Sequence, residues 1–261
     1  MTNQNYTETI TLTICDQAEN HVGMQKLGEF ADEGFNLDDL FVARDWFDKK
    51  KATTEIIDLN YPITDLDIYP DDEAYVLIIH QGIDYLLGPK HNATDLFNEQ
   101  VSLEWDYKAM MYGRVVNKHA RHNLCFGADK QEPNYESGKG RIIAFDDVPL
   151  LKKVKSKLSA ILKETNLVVE GNHYYDITKC GIGFHGDSER KKVIGVRLGA
   201  TIPLDFQWFN NSKAVGARIS LQLNHGDIYI MSEKATGNDW KKKLRYTLRH
   251  AAGSEKYLKI N

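Results

Sequence analysis

Cysteine is scarce in this chain of 261 residues. Cys15, Cys125 and Cys180 are the only three, and their spacing matches neither a disulfide framework nor a zinc site. That excludes a disulfide-stapled secreted scaffold and favours a reducing compartment. Long apolar runs are missing as well. None approaches the roughly eighteen residues of a membrane span, and Met1-Thr-Asn-Gln-Asn-Tyr6 lacks the basic-then-apolar pattern of a secretory signal. No membrane association is expected, and the chain reads as soluble and intracellular, cytoplasmic or nuclear. Internal repeats and low-complexity segments are absent. So is an excess of positive charge: a net charge of -4 argues against tight, indiscriminate attraction to duplex DNA. Nothing in the sequence speaks to oligomeric state.

What is present suffices for one good core with a subordinate domain, since 42% of the residues are hydrophobic. The alternation in Thr7-Glu-Thr-Ile-Thr-Leu-Thr-Ile-Cys15 predicts a half-buried strand. An acidic, aromatic tract follows from Phe30 to Phe41, then Trp46 and the cluster Lys49–Lys51. Tyr75–Ile79 and Asp84–Leu87 read as further strands. These features predict a mixed α/β module over residues 1–104 that packs on a second domain, 105–261, and carries no recognisable chemistry of its own. In the second domain Pro149 opens a helix with apolar residues at Leu150, Leu151, Val154, Leu158, Ile161 and Leu162, which Asp146 or Asp147 can cap. Short strands separated by polar turns occupy the rest, giving an α+β, mainly β, fold.

The chemistry concentrates in Asn172-His-Tyr-Tyr-Asp-Ile-Thr-Lys-Cys-Gly-Ile-Gly-Phe-His-Gly-Asp187. His185 and Asp187 stand two apart, and side chains at i and i+2 leave a strand on the same face, so one imidazole and one carboxylate can grip a single ion. A histidine from a distant strand would complete a two-His-one-carboxylate facial triad, which leaves coordination positions open and suits non-heme Fe(II). His250 is the candidate and His225, in a His-Gly-Asp turn, the competitor. His119 and His122 lack a carboxylate partner in sequence and read as surface residues. Two basic islands, Arg114-Val-Val-Asn-Lys-His-Ala-Arg-His122 and Lys241-Lys-Lys-Leu-Arg245, could each track a phosphate backbone.

The order of these pieces resembles the AlkB-like branch of the 2-oxoglutarate/Fe(II)-dependent dioxygenases. Shared features are the Asn-x-Tyr strand at 172–174, the His-x-Asp-x-Glu at 185–189, the strand Val193–Gly199 closing in Leu-Gly, the apolar-His-Gly-Asp run Leu221–Met231, and Trp240. The resemblance covers residues 105–261 and departs at one point. The distal histidine follows the tryptophan closely in that pattern, whereas Lys241, Lys242 and Lys243 follow Trp240 here. The segment Thr247-Leu-Arg-His-Ala-Ala252 instead is similar to the distal-ligand segment of prolyl-4-hydroxylase-type relatives, which implies His250 as the third ligand.

The resemblance implies a double-stranded β-helix, a cupin-like jelly roll with flanking helices, holding Fe(II) and 2-oxoglutarate with dioxygen as co-substrate. The far carboxylate of 2-oxoglutarate needs a cation. No Arg follows His250, so Lys259, Lys256 or Arg197 is expected to serve, with Asn172 and Tyr174 adding hydrogen bonds. The implied reaction is hydroxylation or oxidative demethylation, foremost of a base in single-stranded or flipped-out nucleic acid. A protein or peptide hydroxylase is the alternative. A non-catalytic barrel acting as a binding module is a third reading, suggested by the missing His beside Trp240 and the missing C-terminal Arg.

Overall fold

Strand β1 (Thr9–Cys15) realises the alternation of its sequence: Ile10, Leu12 and Ile14 enter one apolar core while Thr9, Thr11 and Thr13 point to the other face of the sheet. The computed structural model describes residues 6–260; Met1–Asn5, most of the stretch read above as no signal peptide, lie outside them. After β1 come the hairpin β2 (Gln17–Glu19) and β3 (Lys26–Gly28), helix α1 (Leu37–Asp48), β4 (Thr54–Asp58), α2 (Tyr61–Thr64), β5 (Tyr75–Ile79), α3 (Gly82–Leu87) and α4 (Ala93–Val101). A second hairpin, β6 (Lys108–Met111) and β7 (Arg114–Asn117), precedes β8 (His122–Gly127), β9 (Ile142–Ala144), α5 (Pro149–Ile161) and β10 (Val168–Tyr174). The remainder is β11 (Gly181–His185), β12 (Val193–Gly199), β13 (Ile202–Asn210), β14 (Lys213–Leu223), β15 (Ile228–Met231), α6 (Glu233–Thr236) and β16 (Tyr246–Gly253).

Two sheets dominate this α+β fold. The larger has eight strands in the order β4-β5-β15-β12-β1-β10-β8-β9, and the smaller has four, β11-β16-β13-β14. Within them every pairing is antiparallel except β8 with β9, and neither sheet closes on itself. The large sheet is buried on both faces, so period-2 alternation sorts its residues between two cores. Leu77 and Ile79 of β5, and Ile194, Val196 and Leu198 of β12, pack with the helices. Val76, Ile78 and Val193 pack with Leu204, Phe206, Trp208 and Leu248 of the small sheet.

The boundary expected at residue 104 runs through this arrangement. β1 lies between β10 and β12, pairing with both along its full length, and β5 pairs with β15. Strands β1, β4 and β5 therefore share one sheet with strands from beyond residue 104, because the edges of β10 and β12 are satisfied by an N-terminal strand. Among the described residues no helix is long and apolar enough to cross a membrane.

Two local expectations need correction. Asp84–Leu87 is the end of helix α3, not a strand; its last carbonyls, at Leu86 and Leu87, accept from Lys157 and Lys153 of α5, which stabilises a helical end over an extended one. The start of α5 is capped by neither Asp146 nor Asp147, which sit in a preceding 3-10 turn. Glu99 of α4 does this from across the interface, accepting from the Leu150 and Leu151 N–H groups at 2.8 and 3.0 Å.

Candidate metal centre

His185 ends β11 and His250 lies in β16, and the two are direct partners in the antiparallel ladder, with ring centroids 4.5 Å apart. Asp187 is not on the strand with His185, as the i, i+2 spacing predicted, but just beyond its end. The turn that carries it is fixed by three contacts. Asp187 N–H donates to Thr236 O at 2.9 Å. Gly186 packs so tightly that a Cβ there would meet Gly237 O at 2.0 Å and Trp240 Cδ1 at 2.7 Å. Trp240 Nε1 donates to Ser188 Oγ at 2.8 Å. Trp240 thus braces the His185–Asp187 turn.

The carboxylate reaches both imidazoles. Asp187 Oδ1 is 3.6 Å from His185 Nε2 and 3.7 Å from His250 Nε2, and the three potential ligand atoms lie within 4.8 Å of one another. An ion with bonds of about 2.0–2.2 Å can bridge either Asp–His pair. Nδ1 of His185 sits 2.8 Å from Gly183 O, an arrangement that takes up the ring's N–H and leaves the Nε2 lone pair free. Nδ1 of His250 is buried without a partner of ordinary hydrogen-bond geometry. Burial pushes both histidines down to about 4, aided at His185 by the neighbouring His250 and at His250 by Arg190. Both rings are therefore neutral at neutral pH, the form that donates electron pairs.

The cluster opens into a cavity of about 730 Å³ between the two sheets. A row of cross-strand neighbours, Arg197 on β12, Thr11 on β1 and Asn172 on β10, lines it. Arg197 is 1% exposed. Its Nε and the adjacent Thr11 Oγ1 are both buried without hydrogen-bond partners. Tyr229 lies over Gly195, where a Cβ would meet its ring at 1.8 Å, and burial pushes its phenol up to about 12, against the pull of Arg197. Tyr174 is buried beside the same guanidinium and also raised by burial. Arg197 Nη1 donates to Ile202 O at 3.4 Å, so the unused donor is Nε. A buried cation with a free donor beside buried hydroxyls can receive an anion.

Of the residues expected at the site, His185, Asp187, His250, Arg197, Asn172 and Tyr174 line this cavity, and Lys256 and Lys259 do not. Both lysines are exposed, Lys256 with its Nζ 4.9 Å from the Tyr257 ring centroid. They lie beyond the end of β16, where the chain has left the sheet. Asn172 is occupied: its Oδ1 accepts from Arg121 Nε and Asn123 Nδ2, both at 2.7 Å, and its Nδ2 donates to Glu170 Oε1. His225 is remote from the cluster, accepting from Gly199 N–H at 2.8 Å and stacking on Tyr6. His122 is half-buried and stacked on Tyr175, which corrects its reading as a surface residue, while His119 is exposed.

Other cavity residues escaped the sequence reading. Thr11 and Thr13 come from the alternating N-terminal strand, and Glu170 and Arg190 form a buried ion pair beneath the cluster, with Glu189 also on Arg190 at 2.7 Å. Burial raises Glu170, but the charge and hydrogen bond of Arg190 outweigh it and hold the carboxyl below its ordinary value. The alternating threonines were the available signal for β1, since a strand with one wholly polar face inside a buried sheet marks a wet cavity.

No family model matches the chain. An uncharacterized protein of Acanthamoeba polyphaga mimivirus is 53% identical over 252 residues, a match that spans 97% of this chain and 98% of the viral protein. Similarity of that extent along nearly the whole of both chains implies a shared fold, and this chain belongs to the same family as that viral protein.

Proposed function

We propose that this protein is a 2-oxoglutarate- and Fe(II)-dependent oxygenase of AlkB-like type that hydroxylates or oxidatively demethylates a base in single-stranded or flipped-out nucleic acid. The observation that carries the reading is the meeting, in one cavity, of His185, Asp187 and His250 with the buried Arg197, which has no carboxylate within ion-pair distance among the described residues. The donor set suits the metal: two imidazoles and one carboxylate leave coordination positions free for a chelating co-substrate and dioxygen. The cation suits the co-substrate, because a dicarboxylate bound at the metal through one end needs a buried positive partner for the other. Arg197 with Thr11 would hold that carboxylate, and Tyr229 and Tyr174 would border it. The two sheets that enclose the cavity are read here as the halves of a double-stranded β-helix.

When bound, Fe(II), 2-oxoglutarate and dioxygen supply C–H hydroxylation coupled to decarboxylation of the co-substrate to succinate, and a hydroxylated N-methyl group leaves as formaldehyde. The protein's own part is to orient and to exclude water. His185 is aimed by Gly183 O, Asp187 by Thr236 O and the tight Gly186 turn, and the apolar cavity residues Leu204 and Met231 limit solvent. A base reaches such a recess only unstacked. A nucleic-acid substrate is supported by Lys26, Arg121 and Lys241 along the cavity lining, the last continuing into the exposed Lys242, Lys243 and Arg245. The two lysines offered as alternative anchors, Lys256 and Lys259, lie outside the cavity.

Protein loaded with Fe(II) and 2-oxoglutarate is expected to form succinate, and to release formaldehyde in step with it when given N-methylated single-stranded oligonucleotides. Succinate without formaldehyde would turn the assignment toward another hydroxylation substrate. No iron-dependent succinate at all would favour a non-catalytic binding module.

A further inference from the structure

Arg121 lines the cavity and has no carboxylate within ion-pair distance among the described residues. The carboxylates around it are engaged elsewhere. Glu170 and Glu189 share Arg190, Glu19 Oε1 accepts from Gly23 N–H at 2.7 Å, and Asp187 belongs to the histidine cluster. Arg121 donates through Nε to Asn172, which leaves both Nη groups without a hydrogen-bond partner among the described residues.

The guanidinium is also oriented. Asn172 accepts from Arg121 and Asn123 on one side and donates to Glu170 on the other, and Glu170 is fixed by the buried Arg190. A relay of this kind sets the plane of the fork and leaves its two terminal nitrogens as a paired donor for an oxyanion. The site is near the reacting centre but distinct from the Arg197 pocket. The charge of Arg121 acts on His185 and, together with that of Arg197, on Tyr174, which therefore stands under the influence of both cations. Two anion receptors in one cavity imply two anions, one from the co-substrate and one from the substrate itself.

The surroundings favour a polyanion over a lone carboxylate. Arg121 follows the β6–β7 hairpin, whose turn carries Tyr112 at 94% exposure beside Arg114, and it adjoins the stacked His122–Tyr175 pair with centroids 4.5 Å apart. Lys241 on the cavity lining opens a second run of cations. Exposed rings interleaved with cations are the features that bind single strands, the rings by stacking and the cations by tracking phosphates.

We propose that Arg121 receives one phosphodiester of a single-stranded nucleic acid, adjacent to the base presented to His185, Asp187 and His250, and so fixes which nucleotide is presented. This rests on the nucleic-acid reading above.

The test uses the full chain loaded with Mn(II) and 2-oxoglutarate, in which binding is read without turnover. A short single-stranded oligonucleotide containing one N-methylated base is compared with a series in which each phosphate in turn is replaced by a neutral methylphosphonate. Wild type is expected to lose about tenfold in affinity at one position next to the methylated base and little elsewhere. Arg121→Gln should bind the unmodified strand about tenfold more weakly, be indifferent to methylphosphonate at that position, and lower the slope of log K against log salt by about one. A uniform small penalty along the wild-type series overturns the proposal, and this holds even if Arg121→Gln fails to fold. So does an Arg121→Gln chain that still loses the full factor at the sensitive position. Failure of the underlying reading has a different signature: wild type takes up Mn(II) and 2-oxoglutarate but binds no oligonucleotide, and the proposal falls with it.

Discussion

His185 and His250 are 65 positions apart in sequence and directly opposite each other in the ladder between β11 and β16. Cross-strand partners have Cβ atoms about 4.5–5.5 Å apart, so this register alone brings two imidazoles within reach of a single ion. Removing either ring, or the Asp187 carboxylate, should reduce Mn(II) affinity by more than about 100-fold, beyond the 10–100-fold typical of groups that merely orient a ligand. Calorimetric titration of His185→Ala, His250→Ala and Asp187→Ala measures this. A variant that retained wild-type affinity would remove its residue from the centre.

Arg197 and Thr11 should govern co-substrate binding. Arg197→Met leaves the far carboxylate buried without its partner, a loss of about 3–5 kcal/mol, so 2-oxoglutarate affinity should fall at least 100-fold while Mn(II) still binds. Lys256→Ala and Lys259→Ala should leave it unchanged. Fluorescence or calorimetric titration with 2-oxoglutarate decides between them, and a strong effect at either lysine would move the anchor out of the sheet.

Gly186 is required by space. A methyl group there overlaps Gly237 O and Trp240, so Gly186→Ala must displace the turn that carries Asp187. Overpacking of this kind costs about 1–3 kcal/mol. The expected result is a melting temperature lowered by several degrees together with weakened Mn(II) binding. An unaffected metal affinity would show that the turn adapts without moving the carboxylate.

The cap that Glu99 provides for α5 predicts a purely structural effect. Glu99→Ala should cost about 0.5–2 kcal/mol, seen as a lower denaturation midpoint with oligonucleotide and metal binding intact. No change in the midpoint would assign the α5 N–H groups to solvent.

His122 supplies a pH signature away from the metal cluster. Burial, with His173 and Lys118 adding to it, pushes its imidazole from 6.5 down to about 4. The unfolded chain protonates this ring near pH 6.5 and the folded chain only near 4, so the stability tied to its neutral form is present above about 6.5 and is lost as pH falls toward 4. The stability advantage of the wild-type chain over His122→Gln should shrink across that window. A constant difference between the two melting curves from pH 7 to 4.5 would contradict the half-buried, neutral ring.

Local patterns carried a good part of this structure. Val193–Gly199 was readable as a strand to the residue, helix α5 from its 3.6-residue apolar repeat and Pro149, and the histidine cluster from His-x-Asp plus the Arg-His-Ala-Ala segment. What stayed hidden depends on long-range pairing. That Thr11 borders Arg197 and Asn172 follows only once β1 inserts between β10 and β12, and nothing local in Thr9–Cys15 names those neighbours. Which of Arg197, Lys256 and Lys259 lines the cavity turned on where β16 ends. Asn172 was legible as a polar cavity residue, but its engagement with Arg121 and Glu170 required the register of β8 and β10.

The most direct test of the account is anomalous diffraction from crystals grown with Mn(II) and 2-oxoglutarate. It should give one peak about 2.0–2.2 Å from His185 Nε2, an Asp187 carboxylate oxygen and His250 Nε2, with the far carboxylate of 2-oxoglutarate on Arg197. No peak at that position, or a co-substrate carboxylate bound away from Arg197, would contradict it.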